Sequence, residues 1–248
     1  MMDLRGAVAV VSGGGSGIGA ATCELLAKEG AIPVAWDLQG GDIECDTASA
    51  ASVDSAIAQT LETYGVPTLH VAAAGVGRLG SIIDLDLEDW DLTYAVNVRG
   101  VFLTLRAVAR AMIEADLPGS IALIGSVNGL IADSHHSMYS SSKAAVLHLA
   151  RCAAVELGPN GIRVNGIAVG PTETPMMNAA LTDDYLAEIN ESTPLGRIGQ
   201  PIDIAEGIIN IFKSDWLTGQ AIALDGGTSL VTARESKHRR QARGSKEV

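Results

Sequence analysis

Hydrophobic positions along this chain follow two rhythms. Short, nearly unbroken apolar runs at 7–11, 32–36, 68–73, 120–125, 163–168 and 221–224 read as strands. A strand stays apolar at every position only when both of its faces are covered. The longer stretches 17–29, 50–64, 87–115, 138–157 and 202–212 read as helices. Strand and helix alternate, which predicts an α/β protein: a Rossmann-type doubly wound parallel sheet with helices on both faces. Segment 172–199 breaks the rhythm, carrying methionines, a tyrosine and two prolines between one strand and the next helix. An insertion at the carboxyl end of a strand lies where such sheets bind ligands. It is expected to act as a lid, with Met176, Met177, Leu181, Tyr185 and Leu186 closing an apolar pocket. No long linker or internal repeat divides the chain, so residues 1–233 are expected to form one domain, lid included, followed by a tail at 234–248.

The first predicted strand runs into Ser12-Gly13-Gly14-Gly15-Ser16-Gly17-Ile18-Gly19. Strand, glycine turn and helix start form an anion site, because glycines let the backbone approach a pyrophosphate and the helix N-terminus presents free N–H groups. Gly13, Ser16, Gly17, Ile18 and Gly19 are therefore candidate cofactor contacts. Eighteen residues beyond Gly19, at the end of the second strand, stands Asp37. A carboxylate there accepts hydrogen bonds from the adenosine ribose hydroxyls of NAD and repels the 2′-phosphate of NADP. Ser16 and Leu38, where a cation would favour NADP, are both neutral.

Tyr139 precedes Lys143 by one helical turn, with only serines between them. A tyrosine is almost fully protonated at neutral pH, and a neighbouring ammonium is expected to lower its pKa. Such a tyrosine serves as general base in alcohol oxidation and general acid in ketone reduction. Ser126, at the end of the strand at 120–125, is placed to polarise the substrate oxygen from the other side. Asn97 interrupts an apolar helix and is a candidate anchor for a water path to Lys143.

Taken with AAAG at 72–75, VGPTET at 169–174 and ALDGG at 223–227, these motifs resemble the short-chain dehydrogenase/reductase family over residues 4–231. The resemblance implies a catalytic set of Ser126, Tyr139 and Lys143, with Asn97 as fourth member. It implies further cofactor contacts at Leu38, Asp46 (adenine), Ala74, Gly75, Tyr139, Lys143 (nicotinamide ribose), Gly170, Thr172 and Thr174 (carboxamide). It also implies a homotetramer in which the helix at 138–157 packs against a partner subunit. Three positions depart from the family's usual residues: Ala72 where asparagine is usual, Val169 for proline, and Gly125 for serine. The expected activity is NAD-dependent interconversion of a small, mainly apolar secondary alcohol and its ketone. Two alternatives stay open: a 3-oxoacyl thioester reductase, against which Asp37 speaks, and a non-catalytic NAD-binding regulator.

Composition narrows this further. A chain of 248 residues, 47% of them hydrophobic, can bury a large single core. No apolar run reaches the ~18–20 residues that span a bilayer, and MMDLRGAVAVVSGGG does not read as a signal peptide, so a cytoplasmic protein is expected. Three cysteines without a CxxC spacing suggest neither a disulfide framework nor a metal site. The net charge of −12 divides into a tail from Arg234 of 6 − 2 = +4 and a body of 11 − 27 = −16. An acidic body disfavours nucleic acid and anionic membranes as partners. His135 and His136 lie between Ser126 and Tyr139, in a loop expected to border the substrate pocket.

Overall fold

The computed structural model describes residues 2–179 and 181–231; the basic tail at 234–248 lies outside the described residues. Seven strands form one sheet in the order β3-β2-β1-β4-β5-β6-β7, with every neighbouring pair parallel. They are β1 (Val8–Ser12), β2 (Ile32–Asp37), β3 (Ile43–Glu44), β4 (Pro67–Ala72), β5 (Gly119–Ile124), β6 (Ile162–Val169) and β7 (Ala221–Leu224). Six of them coincide with the apolar runs. β3 has only two residues and carries no periodic signal of its own.

Side chains alternate along each strand and so divide the core into two layers. Val8 and Val10 of β1 join Val34 and Trp36 of β2 under α2 (Ala50–Thr63), α4 (Val101–Glu114) and α5 (Ser137–Leu157). Ala9 and Val11 face the other way, with Leu69, Val71 and Ile167, under α1 (Gly17–Lys28) and α8 (Pro201–Lys213). Each fully buried aliphatic side chain stabilises the fold by roughly 1.5–3 kcal/mol relative to exposure. His70 of β4 lies wholly inside the first layer, with Nδ1 3.0 Å from the Val10 carbonyl and Nε2 3.1 Å from the Thr104 hydroxyl. A carbonyl only accepts, so Nδ1 carries the proton and Nε2 accepts from Thr104. Burial pushes this imidazole down to about 4.

The helix expected at 87–115 is divided. α3 (Leu87–Tyr94) and α4 are joined by a π-helical turn at Ala95–Gly100, which contains the fully buried Asn97. The wider turn accommodates a polar side chain that bonds outside its own helix; such turns recur at functional sites. α5 is the helix expected to pack against a partner subunit. Within the single chain its outward stripe of His148, Arg151, Cys152, Val155 and Glu156 is exposed, Val155 at 79%. The insertion at 172–199 folds into two short helices, α6 (Pro175–Asn178) and α7 (Asp183–Ser192).

Strand order reverses between β1 and β4, and the chains leaving those two strands go on to helices on opposite faces of the sheet, α1 on one and α4 on the other. In a doubly wound sheet the crevice at such a reversal is where ligands bind.

Candidate active site

β1 ends at Ser12, and the chain turns back through Gly13 at φ +71°. A Cβ on Gly13 would stand 2.6 Å from the Ala74 nitrogen, so only glycine lets this turn lie against the chain leaving β4. Ser16 caps α1 in extended geometry, yet its hydroxyl makes no capping bond, and no acidic residue occupies the first helical turn. Exposed Ser16, the Gly17–Gly19 backbone and the positive helix end thus stand together as a cradle for a pyrophosphate. Ile18 packs inward on the α1/α8 layer and seats the helix.

At the end of β2, Asp37 Oδ2 accepts from the Gly15 N–H at 2.9 Å and Oδ1 from Gln39 N–H at 3.3 Å. The carboxylate is therefore fixed on the edge of the glycine turn. Leu38 beside it is 62% exposed. β3 brings in Asp46, expected on the adenine side: the Cys45 N–H donates to the Asp37 carbonyl at 2.9 Å, and Asp46 follows, with Oδ1 held by the Ala48 N–H at 2.9 Å.

The residues expected to carry the chemistry gather beyond the ends of β4 and β5. Ser126 is buried, its hydroxyl accepts from the Asn128 N–H at 3.1 Å, and it stands near enough to the Tyr139 hydroxyl to favour the phenolate. Lys143 is buried, donates to the Ile124 carbonyl at 2.9 Å, and lies 5.7 Å from the Tyr139 ring centre. Asn97 clamps Val76 through both backbone groups, at 2.8 Å to N and 3.0 Å to O, and donates to Ser142 Oγ at 3.1 Å. A Cβ on Gly75 would meet Asn97 Oδ1 at 3.3 Å and Lys143 Nζ at 3.4 Å, so this glycine marks where the two side chains converge. Ala74 and Gly75 thereby form the floor between glycine turn and lysine.

Electrostatics departs from the sequence expectation at one point. Burial pushes the Tyr139 phenol up, opposed by the Ser126 hydroxyl, whereas a downward shift from Lys143 was expected. Desolvation outweighs the lysine here because the ammonium turns to the Ile124 carbonyl and is itself pushed down to about 8 by burial. The departure at Gly125 also has a local cause. A Cβ there would stand 2.5 Å from Leu147 Cδ2, so Leu147 fills the space a serine would need.

The lid is rooted beside the glycine turn. Gly170 abuts Asp225, Thr172 is buried with its hydroxyl on the Gly170 carbonyl at 3.0 Å, and Thr174 caps α6. The Thr174 methyl lies 3.4 Å from the Cβ position of Gly17, so lid root and phosphate cradle touch. The two lid ends are clasped by Glu173 N–H on Gly199 O at 2.8 Å, Gly199 N–H on Pro171 O at 2.9 Å, and the Gln200 amide on Glu173 at 2.7 Å. Met176 Sδ comes within 3.2 Å of the Cβ position of Gly77, across the cleft.

His135 sits at φ +64°, is exposed, and its carbonyl accepts from Gly80 N–H at 2.9 Å, tying the two cleft loops together. His136 begins α5 with its side chain 21% exposed. Three groups in this site were not singled out from sequence. Val76 and the Ile124 carbonyl act through their backbones, which leave no residue-type signal. Ser142 is one of three adjacent serines, and only its place on the helix face toward Asn97 distinguishes it. Among the described residues no group of His, Cys, Asp or Glu could hold a metal ion.

Residues 13–229 match the family model described as Enoyl-(Acyl carrier protein) reductase. A 2,5-dichloro-2,5-cyclohexadiene-1,4-diol dehydrogenase of Sphingobium indicum is 34% identical over 250 residues, covering 93% of this chain and all of that protein (100%). A (3R)-3-hydroxyacyl-CoA dehydrogenase of Canis lupus familiaris is 32% identical over 253 residues, covering 91% of this chain and 97% of that one. The crystal structure of a short-chain type dehydrogenase/reductase from Mycobacterium marinum superposes with a TM-score of 0.85 at 33% identity, covering 91% and 96% of the two chains.

Proposed function

This chain belongs to the short-chain dehydrogenase/reductase family and is an oxidoreductase acting on CH–OH donors; on that premise we propose that it uses NAD to interconvert a secondary alcohol and a ketone. The observation that carries the reading is the convergence of Ser126, Tyr139 and buried Lys143 beside a glycine turn that holds Asp37. The cradle fits a dinucleotide: its first helical turn is free of acid and of a serine cap, and its glycines admit no side chain. Gly13, Ser16, Gly17, Ile18 and Gly19 hold the pyrophosphate, Asp37 and Leu38 the adenosine ribose, and Asp46 the adenine. Ala74, Gly75, Gly170, Thr172 and Thr174 border the nicotinamide end. When bound, the nicotinamide supplies the hydride acceptor or donor.

The protein's own groups handle the proton and the orientation. Tyr139 Oη takes the alcohol proton in oxidation and returns it in reduction. Ser126 Oγ holds the substrate oxygen. Lys143 Nζ stabilises the phenolate as it forms and binds the nicotinamide ribose hydroxyls. Asn97 fixes the Val76 backbone and the helix carrying Tyr139 through Ser142, which keeps the constellation in register. The lid methionine Met176 restricts water above the site.

An uncharged, mainly apolar substrate is supported by two ion pairs. Arg78 and Arg197 are each paired with a carboxylate, Asp89 at 3.2 Å and Asp203 at 2.6 Å, which weakens their attraction for the phosphates of a carrier thioester. The reading includes a cytoplasmic homotetramer. Val155, 79% exposed on the outward stripe of α5, supports packing of that helix against a partner, and all three cysteines are free thiols. The test of the activity is NAD⁺-dependent oxidation of a panel of secondary alcohols, followed at 340 nm. Tyr139→Phe is expected to lose about 10³-fold or more in kcat while binding NAD⁺ as the wild type does. A Tyr139→Phe chain of normal turnover overturns the proton-relay assignment.

A further inference from the structure

His136, Tyr139 and Lys143 stand at successive rungs of one helical face, spaced by three and then four residues. His136 belongs to that helix because its carbonyl accepts the first helical bond, from Ser140 N–H at 2.7 Å. The other faces of the first turns are occupied elsewhere. Met138 meets Thr93, Ser141 takes a hydrogen bond from Tyr94, and Ser142 meets Asn97. The Lys143–Ala144 backbone packs against Gly129 of the turn after Ser126. Lys143 thus stands against Gly75, Tyr139 beside Ser126, and His136 three residues farther toward the N-terminal end of the helix.

The ring of His136 has a defined polarity. Its Nδ1 is 2.7 Å from the Ser134 carbonyl, which only accepts, so in the neutral ring Nδ1 carries the hydrogen. Asp133 Oδ2, 3.8 Å from the same nitrogen, reinforces this orientation. In that tautomer Nε2 is the acceptor, on the far side of the ring from the Ser134 carbonyl. His135 differs: it is exposed, and its Nδ1 is satisfied by the Ser134 hydroxyl at 2.9 Å.

We propose that His136 is a specificity-determining residue whose Nε2 accepts a hydrogen bond from a second hydroxyl of the substrate, so that the cleft selects diols over simple secondary alcohols. Three residues of helical rise, about 4.5 Å, separate His136 from Tyr139. That spacing suits a second oxygen three carbons away from the carbinol carbon, as in a 1,4-diol. The inference rests on the dehydrogenase reading above and deepens it.

The test compares kcat/KM with NAD⁺ at pH 8 for hexane-2,5-diol, 5-methoxyhexan-2-ol and hexan-2-ol. The ether keeps the oxygen and lacks the hydrogen that Nε2 needs. After the statistical factor of two for the diol, the wild type is expected to favour it over both mono-alcohols by about 5- to 10-fold. His136→Leu is expected to bring that ratio close to one, and His136→Gln, which keeps an acceptor, to retain part of it. His135→Asn, which tolerates the left-handed backbone, is expected to keep the wild-type ratio. A wild type without diol preference, a preference that survives His136→Leu, or one lost in His135→Asn overturns the proposal. The wild-type ratio decides even where a variant fails to fold. A wild type that oxidises none of the three alcohols, while binding NAD⁺, overturns the alcohol-dehydrogenase reading itself and the diol proposal with it.

Discussion

His70 makes the fold acid-sensitive in a window set by its burial. The imidazole is wholly enclosed and pushed down to about 4, against 6.5 for an ordinary histidine. Between those values the unfolded chain binds a proton that the folded chain cannot, so stability falls as pH falls through 6.5 toward 4. The full difference, about 2.5 units, corresponds to about 3 kcal/mol, of which about 2 kcal/mol is lost by pH 5. His70→Leu removes the titration at modest structural cost, because the Thr104 hydroxyl retains an acceptor in the Val101 carbonyl at 3.2 Å. Urea unfolding at fixed protein concentration gives the stability of both proteins at pH 8 and pH 5. Wild type is expected to lose about 2 kcal/mol more than His70→Leu over that interval. Equal losses in the two proteins would refute the buried neutral histidine and the hydrogen-bond pattern assigned to it.

Two further outcomes follow from the site. Without cofactor, the difference in tyrosinate absorbance between wild type and Tyr139→Phe should report a phenol titrating above the ordinary tyrosine value, and Ser126→Ala should move it higher still, since that hydroxyl opposes the rise; a titration below 10 would contradict the dominance of burial. Asn97→Ala strands the Val76 N–H and carbonyl, and thermal or urea unfolding should show a loss of about 2–4 kcal/mol together with reduced kcat; unchanged stability would mean the clamp is dispensable.

Much of this architecture is legible in the residues because the parallel strands are buried on both faces and announce themselves as apolar runs. The glycine turn and Asp37 are equally legible: Gly13 has φ +71° and no room for a Cβ, and the short carboxylate at 37 accepts from the Gly15 N–H. Other features are decided by tertiary contacts. The 87–115 pattern is continuous in hydrophobicity, yet the bonds from Asn97 to Val76 and Ser142 widen one turn and split it. The elevated Tyr139 phenol follows from burial, which residue spacing does not encode, whereas the pairing with Lys143 does follow from spacing. The lid's helices emerge from caps by Thr174 and Thr182 within a segment too polar and too short to show a period.

Cofactor choice tests the central claim most directly. Fluorescence titration of the wild type and of Asp37→Ala with NAD⁺ and NADP⁺ compares the carboxylate's two effects, holding the ribose hydroxyls of one and repelling the 2′-phosphate of the other. The account predicts at least a tenfold preference for NAD⁺ in the wild type, about 1.4 kcal/mol, that largely disappears in Asp37→Ala. Preference for NADP⁺ in the wild type, or a preference for NAD⁺ indifferent to the loss of Asp37, would contradict it.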